Sequence, residues 1–350
     1  MGRGAGARCP AGYRAAAGVT PHLIQITSMP GEFELIRRYF THPAASAVLG
    51  VGDDAALVRV RRGQLLVVST DMLVAGTHFF ADADPGDLGH KALAVNLSDM
   101  AAMGAAPHWA TLSLALPRAD TRWLSAFSRG FMRLARMHGV DLIGGDTTRG
   151  PLAICVQVMG EVPPRRALTR RGARVGDELW VSGTLGDAAL ALAAFDGAID
   201  ITHAEHLRAS HRLHRPDPRV ALGIALRGVA SSAIDISDGL IADLGHICES
   251  SNVSAEVEVG RVPRSAILRR YLEEPATQVA LLSGGDDYEL CFTAPRSRRA
   301  AVERAGKRSG VRVARIGRIT RAKGGRQRLV RVLGRDNRAV KVERAGFVHF

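Results

Sequence analysis

Apolar and polar residues follow two different periods along the chain, and these periods predict a mixture of strands and helices. Short β-branched and apolar runs predict strands at residues 55–60, 65–69, 111–115, 153–162, 178–182, 255–259, 289–293 and 311–316. Ala- and Leu-rich stretches with helical spacing predict helices at residues 87–103, 121–138, 186–195, 203–213, 218–228, 239–249 and 296–309. Because the two kinds of element are interspersed, the pattern predicts an α+β fold of two mixed α/β domains, the second with a mixed sheet packed by helices.

A change of composition near residues 163–176 predicts the boundary between these domains. The stretch "PPRRALTRRGARVGD" is rich in Pro and Arg and weakly periodic, and a chain of 350 residues is long for one core. We therefore expect domains at residues 31–165 and 166–350. Residues 1–30, which contain no acidic residue, are expected to be disordered or a non-native extension, with translation starting at Met29; a transit peptide is the alternative.

The predicted helix 87–103 carries one polar pair off its apolar stripe. Leu93, Leu97 and Met100 recur at helical spacing and predict the buried face. Asp99 lies on a different face with Asn96. A carboxylate in that position could face a cleft shared with another element.

Composition narrows the class of protein. With 46% hydrophobic and 23% charged residues the chain is typical of soluble globular proteins, and no apolar run approaches the ~20 residues of a membrane helix. The four cysteines, Cys9, Cys155, Cys248 and Cys291, form no CxxC pair. This usage favours a reducing cytoplasm over a secreted disulfide scaffold.

The net charge of +13 is unevenly distributed. Residues 296–350 hold 18 Lys or Arg against three acidic residues, whereas residues 31–295 are net acidic. The basic region has no aromatic stacking pattern or nucleic-acid motif, so we interpret it as a solvated Arg-rich surface; binding of a polyanion is the alternative.

Aspartates beside small or hydroxylated residues recur where apolar segments end. They occur in "GVGDDAALV", "VVSTDM", "VNLSDM", "LIGGDTTRG", "SAIDISDGL" and "LLSGGDDYEL". Carboxylates are the natural ligands of Mg²⁺, and neighbouring Gly and Ser offer backbone amides to phosphate oxygens. Any one such Asp is more often a turn or helix-cap residue, but six sites together indicate a polyphosphate held through several metal ions.

Other phosphate- and metal-binding patterns are missing from the sequence. There is no GxxxxGK[ST] loop, GxGxxG turn, protein-kinase motif or HExxH helix. The histidines of "THAEHLRASHRLHRPDPR" could form a metal face, but no Cys or acid completes a zinc set, so we interpret them as an exposed helix.

Eight blocks together resemble the thiamine-monophosphate kinases, which are related to aminoimidazole ribonucleotide synthetase. They are "GEFELIRRYF", "GVGDDAALV", "VVSTDMLVAGTHF", "KALAVNLSDMAAMGAAP", "LIGGDTTRGP", "RALTRRGARVGD", "SSAIDISDGLIADLGHI" and "LSGGDDYELCFT". The resemblance implies ATP-dependent phosphorylation of thiamine monophosphate to thiamine diphosphate with several Mg²⁺ ions. It also implies a homodimer in which the N-terminal sheets pair. The composition and the charge distribution, for their part, indicate neither a membrane nor a nucleic acid as partner.

The resemblance also implies roles for individual residues. The implied metal ligands are Asp54, Ser69, Thr70, Asp71, Asp99, Asp146, Asp235 and Asp238. The implied ATP contacts are Gly145, Asp146, Arg170 and Ser237, and those to thiamine monophosphate are His78, Asp286 and Arg344. The implied catalytic residues are Asp71, Asp146 and Arg170, which would support direct in-line transfer of the phosphoryl group. No strong general base is expected, because the acceptor phosphate is already an anion.

Two positions depart from the family's pattern. Asp286 stands where the family usually has Glu, and Arg344 stands where an aromatic residue commonly stacks on the thiamine ring. Phe347 and Phe350 are the alternatives for that stacking contact. Rival interpretations are an ATP-using relative acting on another small substrate and a basic polyanion-binding module. The cysteines of the selenide-activating and hydrogenase-maturation relatives have no counterpart here.

Overall fold

The fold is described from a computed structural model that covers residues 31–322, 329–334, 336–340, 342 and 345–347. The predictions for residues 1–30, Arg344 and Phe350 lie outside these described residues. No helix in the described ranges is both long enough and apolar enough to span a membrane.

The first half of the chain forms a four-stranded sheet covered on one face by two long helices. The strands of this half of the chain, including two outside the four-stranded sheet, are β1 (Ala47–Leu49), β2 (Leu57–Val58), β3 (Leu65–Val74), β4 (Ala106–Leu116), β5 (Asp141–Arg149) and β6 (Ala153–Val162). Its helices are α1 (Glu32–Leu35), continued by a π-helical turn at Ile36–Phe40, α2 (Pro85–Ala102) and α3 (Thr121–His138). The main sheet has the order β3-β6-β4-β5, so β3 and β5 are its two edge strands, and β1 and β2 form a small separate sheet.

Helix α2 is buried on nearly all sides. Asp84 caps its first turn by accepting the N–H of Asp87, and Pro85 occupies the first helical position. Leu93, Leu97 and Met100 are fully buried, which confirms the predicted stripe. The helix contacts β3, β4 and β6 of the first half and also β8, α5 and α6 of the second. Its buried length therefore connects the two halves of the molecule.

The second half forms a six-stranded mixed sheet packed by helices. Its strands are β7 (Glu178–Ser182), β8 (Ser232–Asp235), β9 (Val253–Glu258), β10 (Leu290–Ala294), β11 (Val313–Arg321) and β12 (Val330–Leu333), in the order β12-β9-β11-β7-β10-β8. Its α-helices are α4 (Asp187–Phe195), α5 (His203–His214), α6 (Val220–Ala225), α7 (Leu240–Ser251), α8 (Ala266–Arg270), α9 (Pro275–Ser283) and α10 (Arg299–Arg308); short 3₁₀ turns lie at Val259–Arg261 and Arg296–Arg298. The pairing of β12 with β9 is parallel, and the other pairings are antiparallel.

These two sheets confirm the predicted α+β class. The elements that the sequence pattern missed include β5, β8 and α9. Strand β5 contains the pair Gly144–Gly145, which weakens a strand signal, and β8 is only four residues long. Both carry aspartates of the predicted site.

The basic C-terminal region forms ion pairs with acidic residues of the second sheet. Arg299 pairs with Glu178, and both Arg318 and Arg331 pair with Glu256. The arginine side chains are 44–65% exposed, whereas those of Glu178 and Glu256 are 8% and 16% exposed, so the arginines balance the charge of largely buried carboxylates.

Candidate active site

Three carboxylates come together where α2 passes between the two sheets. Asp71 lies on β3, Asp99 on α2 and Asp235 at the end of β8. Hydroxyl groups hold two of them: Ser69 donates to Asp99, and the Ser98 hydroxyl donates to Asp235 at 2.7 Å. The structure thus brings together Ser69, Asp71, Asp99 and Asp235, which come from three elements.

Helix α2 also fixes the backbone of β3 beside the cluster. The side-chain oxygen of Asn96 accepts the backbone N–H of Asp71 at 3.1 Å, and its amide group donates to the carbonyl of Ala92. Asn96 is fully buried, so both hydrogen bonds form away from water. The sequence had placed Asn96 beside Asp99 but had given it no role.

Burial and mutual repulsion make this cluster electrostatically unfavourable by itself. Burial, followed by the charges of Asp99 and Asp235, raises the pKa of Asp71 to about 7. Burial and then Asp99 raise the pKa of Asp235 to about 7, and burial raises the pKa of Asp99. The guanidinium of Arg170 acts in the opposite direction on the pKa of both Asp99 and Asp235, which places it near the cluster. A further positive charge is needed to keep all three carboxylates ionised at neutral pH.

Helix α7, which follows β8, adds a fourth carboxylate that sequence reasoning missed. One oxygen of Asp243, in the first turn of α7, accepts the backbone N–H groups of Ser237, Asp238 and Gly239, each at 3.1 Å. Burial and the charges of Asp235 and Asp238 raise the pKa of Asp243 to about 7. Its signal was an acid in the first turn of a predicted helix. Asp243 holds Ser237 and Asp238 next to Asp235.

Asp286 follows α9 in a loop pinned to the residues after β8. Its backbone N–H donates to the carbonyl of Ser237 at 2.8 Å, and that of Tyr288 donates to the carbonyl of Ile236 at 2.8 Å. Its carboxylate lies 3.1 Å from the ammonium of Lys91 on α2 and accepts the Tyr288 hydroxyl at 3.0 Å. Lys91 was not among the predicted residues. Its signal was its position in the apolar row of the helix.

His78 lies half-buried in the turn after β3. Its Nδ1 accepts the backbone N–H of Val74 at 3.0 Å, which fixes the ring against the end of the strand. The C-terminal segment also reaches the site, because the N–H of Phe347 donates to the carbonyl of Asp238 at 3.0 Å. Phe347 thus stays a candidate for the aromatic contact to the substrate.

The remaining predicted residues lie apart from this cluster in one copy of the chain. Asp54 is in an exposed turn, where its N–H donates to Asp53. Thr70 faces the side of the sheet opposite Ser69 and accepts from Gln157 at 3.3 Å. Gly145 and Asp146 lie on β5, the far edge of the sheet from β3. In the described ranges no three His, Cys, Asp or Glu residues are arranged to hold a metal ion.

Family comparisons agree with this architecture. The N-terminal domain of the AIR synthase related proteins matches residues 52–162, and their C-terminal domain matches residues 174–329. The thiamine-monophosphate kinase of Escherichia coli strain K12 is 48% identical over 294 residues, which cover 83% of this chain and 90% of that protein.

Solved structures give the same result. The thiamine-monophosphate kinase of Stenotrophomonas maltophilia K279a superposes with a TM-score of 0.77 at 47% identity, covering 85% of this chain and 93% of that one. AaThiL complexed with AMPPCP and TMP superposes with a TM-score of 0.71 at 32% identity, covering 83% of this chain and 89% of that one. The chain therefore belongs to the thiamine-monophosphate kinase family of the AIR synthase related proteins.

Proposed function

We propose that this protein transfers the γ-phosphoryl group of ATP to the phosphate of thiamine monophosphate, giving thiamine diphosphate and ADP. The observation that carries the proposal is the cluster of Asp71, Asp99 and Asp235 beside Arg170, at the junction of two halves that both match the family. The solved complex of one relative, AaThiL, with both AMPPCP, an ATP analogue, and TMP supports the same pair of substrates.

The donor atoms of the cluster fit Mg²⁺. All are carboxylate or hydroxyl oxygens, which this hard cation prefers, and the raised pKa values of Asp71 and Asp235 indicate a deficit of positive charge. The proposed ligands remain Asp54, Ser69, Thr70, Asp71, Asp99, Asp146, Asp235 and Asp238. Bound Mg²⁺ would neutralise the phosphates of both substrates and thereby reduce their repulsion.

The chain's own residues would orient the two substrates. Arg170 is exposed beside the carboxylates and would hold the phosphates of ATP, with Gly145, Asp146 and Ser237 as further contacts. His78 and Asp286 would contact thiamine monophosphate. The acceptor phosphate carries most of its second charge at neutral pH, because its second pKa is about 6, so transfer needs alignment rather than a general base.

A homodimer joined at its N-terminal sheets forms part of the proposal. Strand β3 exposes Leu65, Val68 and Met72 by half or more of their surface, although a sheet edge of this kind is normally protected. Asp71 and Gly145 lie on one rung of the sheet, but β6 and β4 separate their strands. At ~4.8 Å per strand the separation is about 14 Å, too far for Asp71 and the neighbouring Asp146 to share an ion.

Contact between β3 and the β5 edge of a second copy would bring Asp146 of the partner subunit towards Asp71. We accordingly propose that two copies complete each site. The division into domains at residues 31–165 and 166–350 is retained, since the two sheets lie on either side of that boundary.

Release of ADP from ATP and Mg²⁺ in the presence of thiamine monophosphate tests the proposed function, with free thiamine as the control acceptor. We expect turnover only with the phosphorylated acceptor, and its loss on chelation of Mg²⁺ or in Asp71→Asn. Asp196→Asn, which removes an exposed carboxylate at the end of α4, is the matched control and should retain activity. Equal activity with thiamine, or none with either acceptor, would contradict the proposal.

A further inference from the structure

Lys91 is a buried cation on α2. The residue is 3% exposed, and its ammonium lies 3.1 Å from Oδ1 of Asp286. A buried ammonium is strongly unfavourable without a partner, so the position of Lys91 depends on this carboxylate. The pair joins a helix of the first half to a loop of the second, next to the proposed site.

Tyr288 provides a second donor to the same oxygen of Asp286. Its hydroxyl lies 3.0 Å from Oδ1. Burial, followed by the charge of Asp286, raises the pKa of Tyr288 well above its usual range, so the phenol stays neutral and donates its proton. One oxygen of Asp286 is thus held by a cation and a hydroxyl group from the protein interior.

The backbone around Asp286 is fixed as strongly as its side chain. Asp286 has φ 64° and Tyr288 has φ 49°, both in the left-handed region of the backbone that residues other than Gly rarely adopt. Hydrogen bonds to the carbonyls of Ser237 and Ile236 maintain this conformation. Strained segments of this kind persist where the surrounding structure determines them, often at functional sites.

The second oxygen of Asp286 is left for a ligand. Within the described part of the chain Oδ2 accepts no hydrogen bond, and the Asp286 side chain is 25% exposed whereas that of Lys91 is 4% exposed. The Asp286 side chain is therefore partly open to solvent, whereas that of Lys91 is enclosed. A phosphate would be repelled there, whereas a cationic ring or an amino group would be attracted.

We propose that Lys91 and Tyr288 are positioning residues that select the thiamine portion of the substrate by holding Asp286 in one orientation. Oδ2 then receives the positively charged thiazolium ring or the amino group of the pyrimidine. Lys91 also offsets part of the charge of Asp286, which weakens the repulsion between this carboxylate and the substrate phosphates. This inference rests on the proposed function, because it concerns how the same site recognises thiamine monophosphate.

Steady-state kinetics of Lys91→Met, Lys91→Arg and Tyr288→Phe test the proposal. For Lys91→Met we expect KM for thiamine monophosphate to rise ~10-fold, with KM for ATP and kcat changed by less than ~3-fold, because the lost interaction is confined to binding of one substrate. Tyr288→Phe, which removes one hydroxyl group, should raise the same KM by a smaller factor. Lys91→Arg keeps the charge and should recover part of the loss.

A double-mutant cycle separates positioning from general structural support. If Lys91 acts only through Asp286, then Lys91→Met combined with Asp286→Asn should be no worse than Asp286→Asn alone. Arg299→Met is the matched control, because it breaks an ion pair with Glu178 in the second half, and it should leave both KM values unchanged. Additive losses in the cycle, or equal effects on both KM values, would overturn the proposal.

Calorimetric binding of thiamine monophosphate distinguishes failure of this inference from failure of the kinase assignment. Wild-type protein that binds the compound but does not phosphorylate it would refute the kinase function alone, and the Kd of the Lys91 variants would then take the place of KM. Wild-type protein that does not bind it would refute both. Tyr288→Phe, a small change, keeps the inference falsifiable should Lys91→Met fail to fold.

Discussion

Paired inactive variants can show whether each active site draws residues from two subunits. Asp71→Asn and Asp146→Asn are each expected to abolish turnover, since either removes a carboxylate from the proposed metal shell. In a mixed dimer of the two variants, one site combines both substituted residues and is inactive. The other combines the intact Asp71 of one copy with the intact Asp146 of the other, and it should work.

The expected recovery follows from strand geometry and dimer statistics. One Mg²⁺ ion brings its ligand oxygens within ~4 Å of each other, whereas β3 and β5 of one chain are about 14 Å apart at ~4.8 Å per strand. Purification through two different tags leaves only mixed dimers, in which one site of two is intact, so activity should return to about 50% of wild type.

The assay is ADP release after co-expression of the two variants with different tags and purification through both. A mixture of Asp71→Asn with Asp99→Asn is the control, because Asp71 and Asp99 lie in one cluster of one chain and their mixed dimer has no intact site. Failure of the first mixture to recover activity when mixed dimers are present would refute the composite site. Equal recovery in the control mixture would refute it as well.

Three further predictions concern stability and local geometry. In metal-free protein, the melting temperature should fall as pH rises from about 4 to about 7, because the pKa values of Asp71 and Asp235 are raised from 3.8 to about 7 in the folded state, which therefore binds extra protons. Mg²⁺ should reverse this fall and Asp235→Asn should reduce it, whereas a flat profile would contradict the raised pKa values. Glu289→Gln should destabilise the protein by about 3–5 kcal/mol in denaturant unfolding, because the buried Glu289 accepts hydrogen bonds from Arg212 and Arg219, each at 2.7 Å. Glu303→Gln on the surface of α10 is the control, and equal unfolding midpoints for the two variants would argue against a stabilising role of these ion pairs. Gly145→Ala should abolish activity, because Gly145 has φ +146° and an added Cβ would lie 1.8 Å from the carbonyl oxygen of Leu112. Gly150→Ala is the control and should be tolerated, since its added Cβ would lie 3.5 Å from the nearest atom. Normal turnover in Gly145→Ala would show that β5 can accommodate the added methyl group.

The regular elements of the fold were predictable from the sequence where apolar periodicity was strong. Helices α2 and α3 and strands β6 and β7 agree with their predicted positions within a few residues, because each has a long periodic run or a continuous buried run. Strands β5 and β8 were missed for opposite reasons. Glycines interrupt the first, and the second is too short to show a period. Functional segments break local rules in this way.

The site was predictable as a set of residue types but not as a set of contacts. Ser69, Asp71, Asp99 and Asp235 share a cluster, as their common motif suggested. The separation of Asp146 from Asp71 follows from the strand order, which places β6 and β4 between their strands and which no single-sequence pattern encodes. Asp243 and Lys91 lie within two of the matching blocks but were given no role there, and their roles follow from distances to Ser237 and Asp286.

The burial of helix α2 explains why amphipathic periodicity does not identify its functional residues. From Leu88 to Ala102 every residue is buried except His90 and Asp99, which are half-buried, so the helix has no solvent-facing side over that length. Its polar residues instead face different neighbours: Asn96 holds β3, Ser98 holds Asp235, and Lys91 holds Asp286. Helix α2 thus sets the positions of the carboxylates proposed to bind the metal ions and phosphates, and also of Asp286, which is proposed to bind the thiamine portion. A shift of α2 would disturb recognition of both substrates together, whereas loss of the Lys91 ammonium alone should disturb only one.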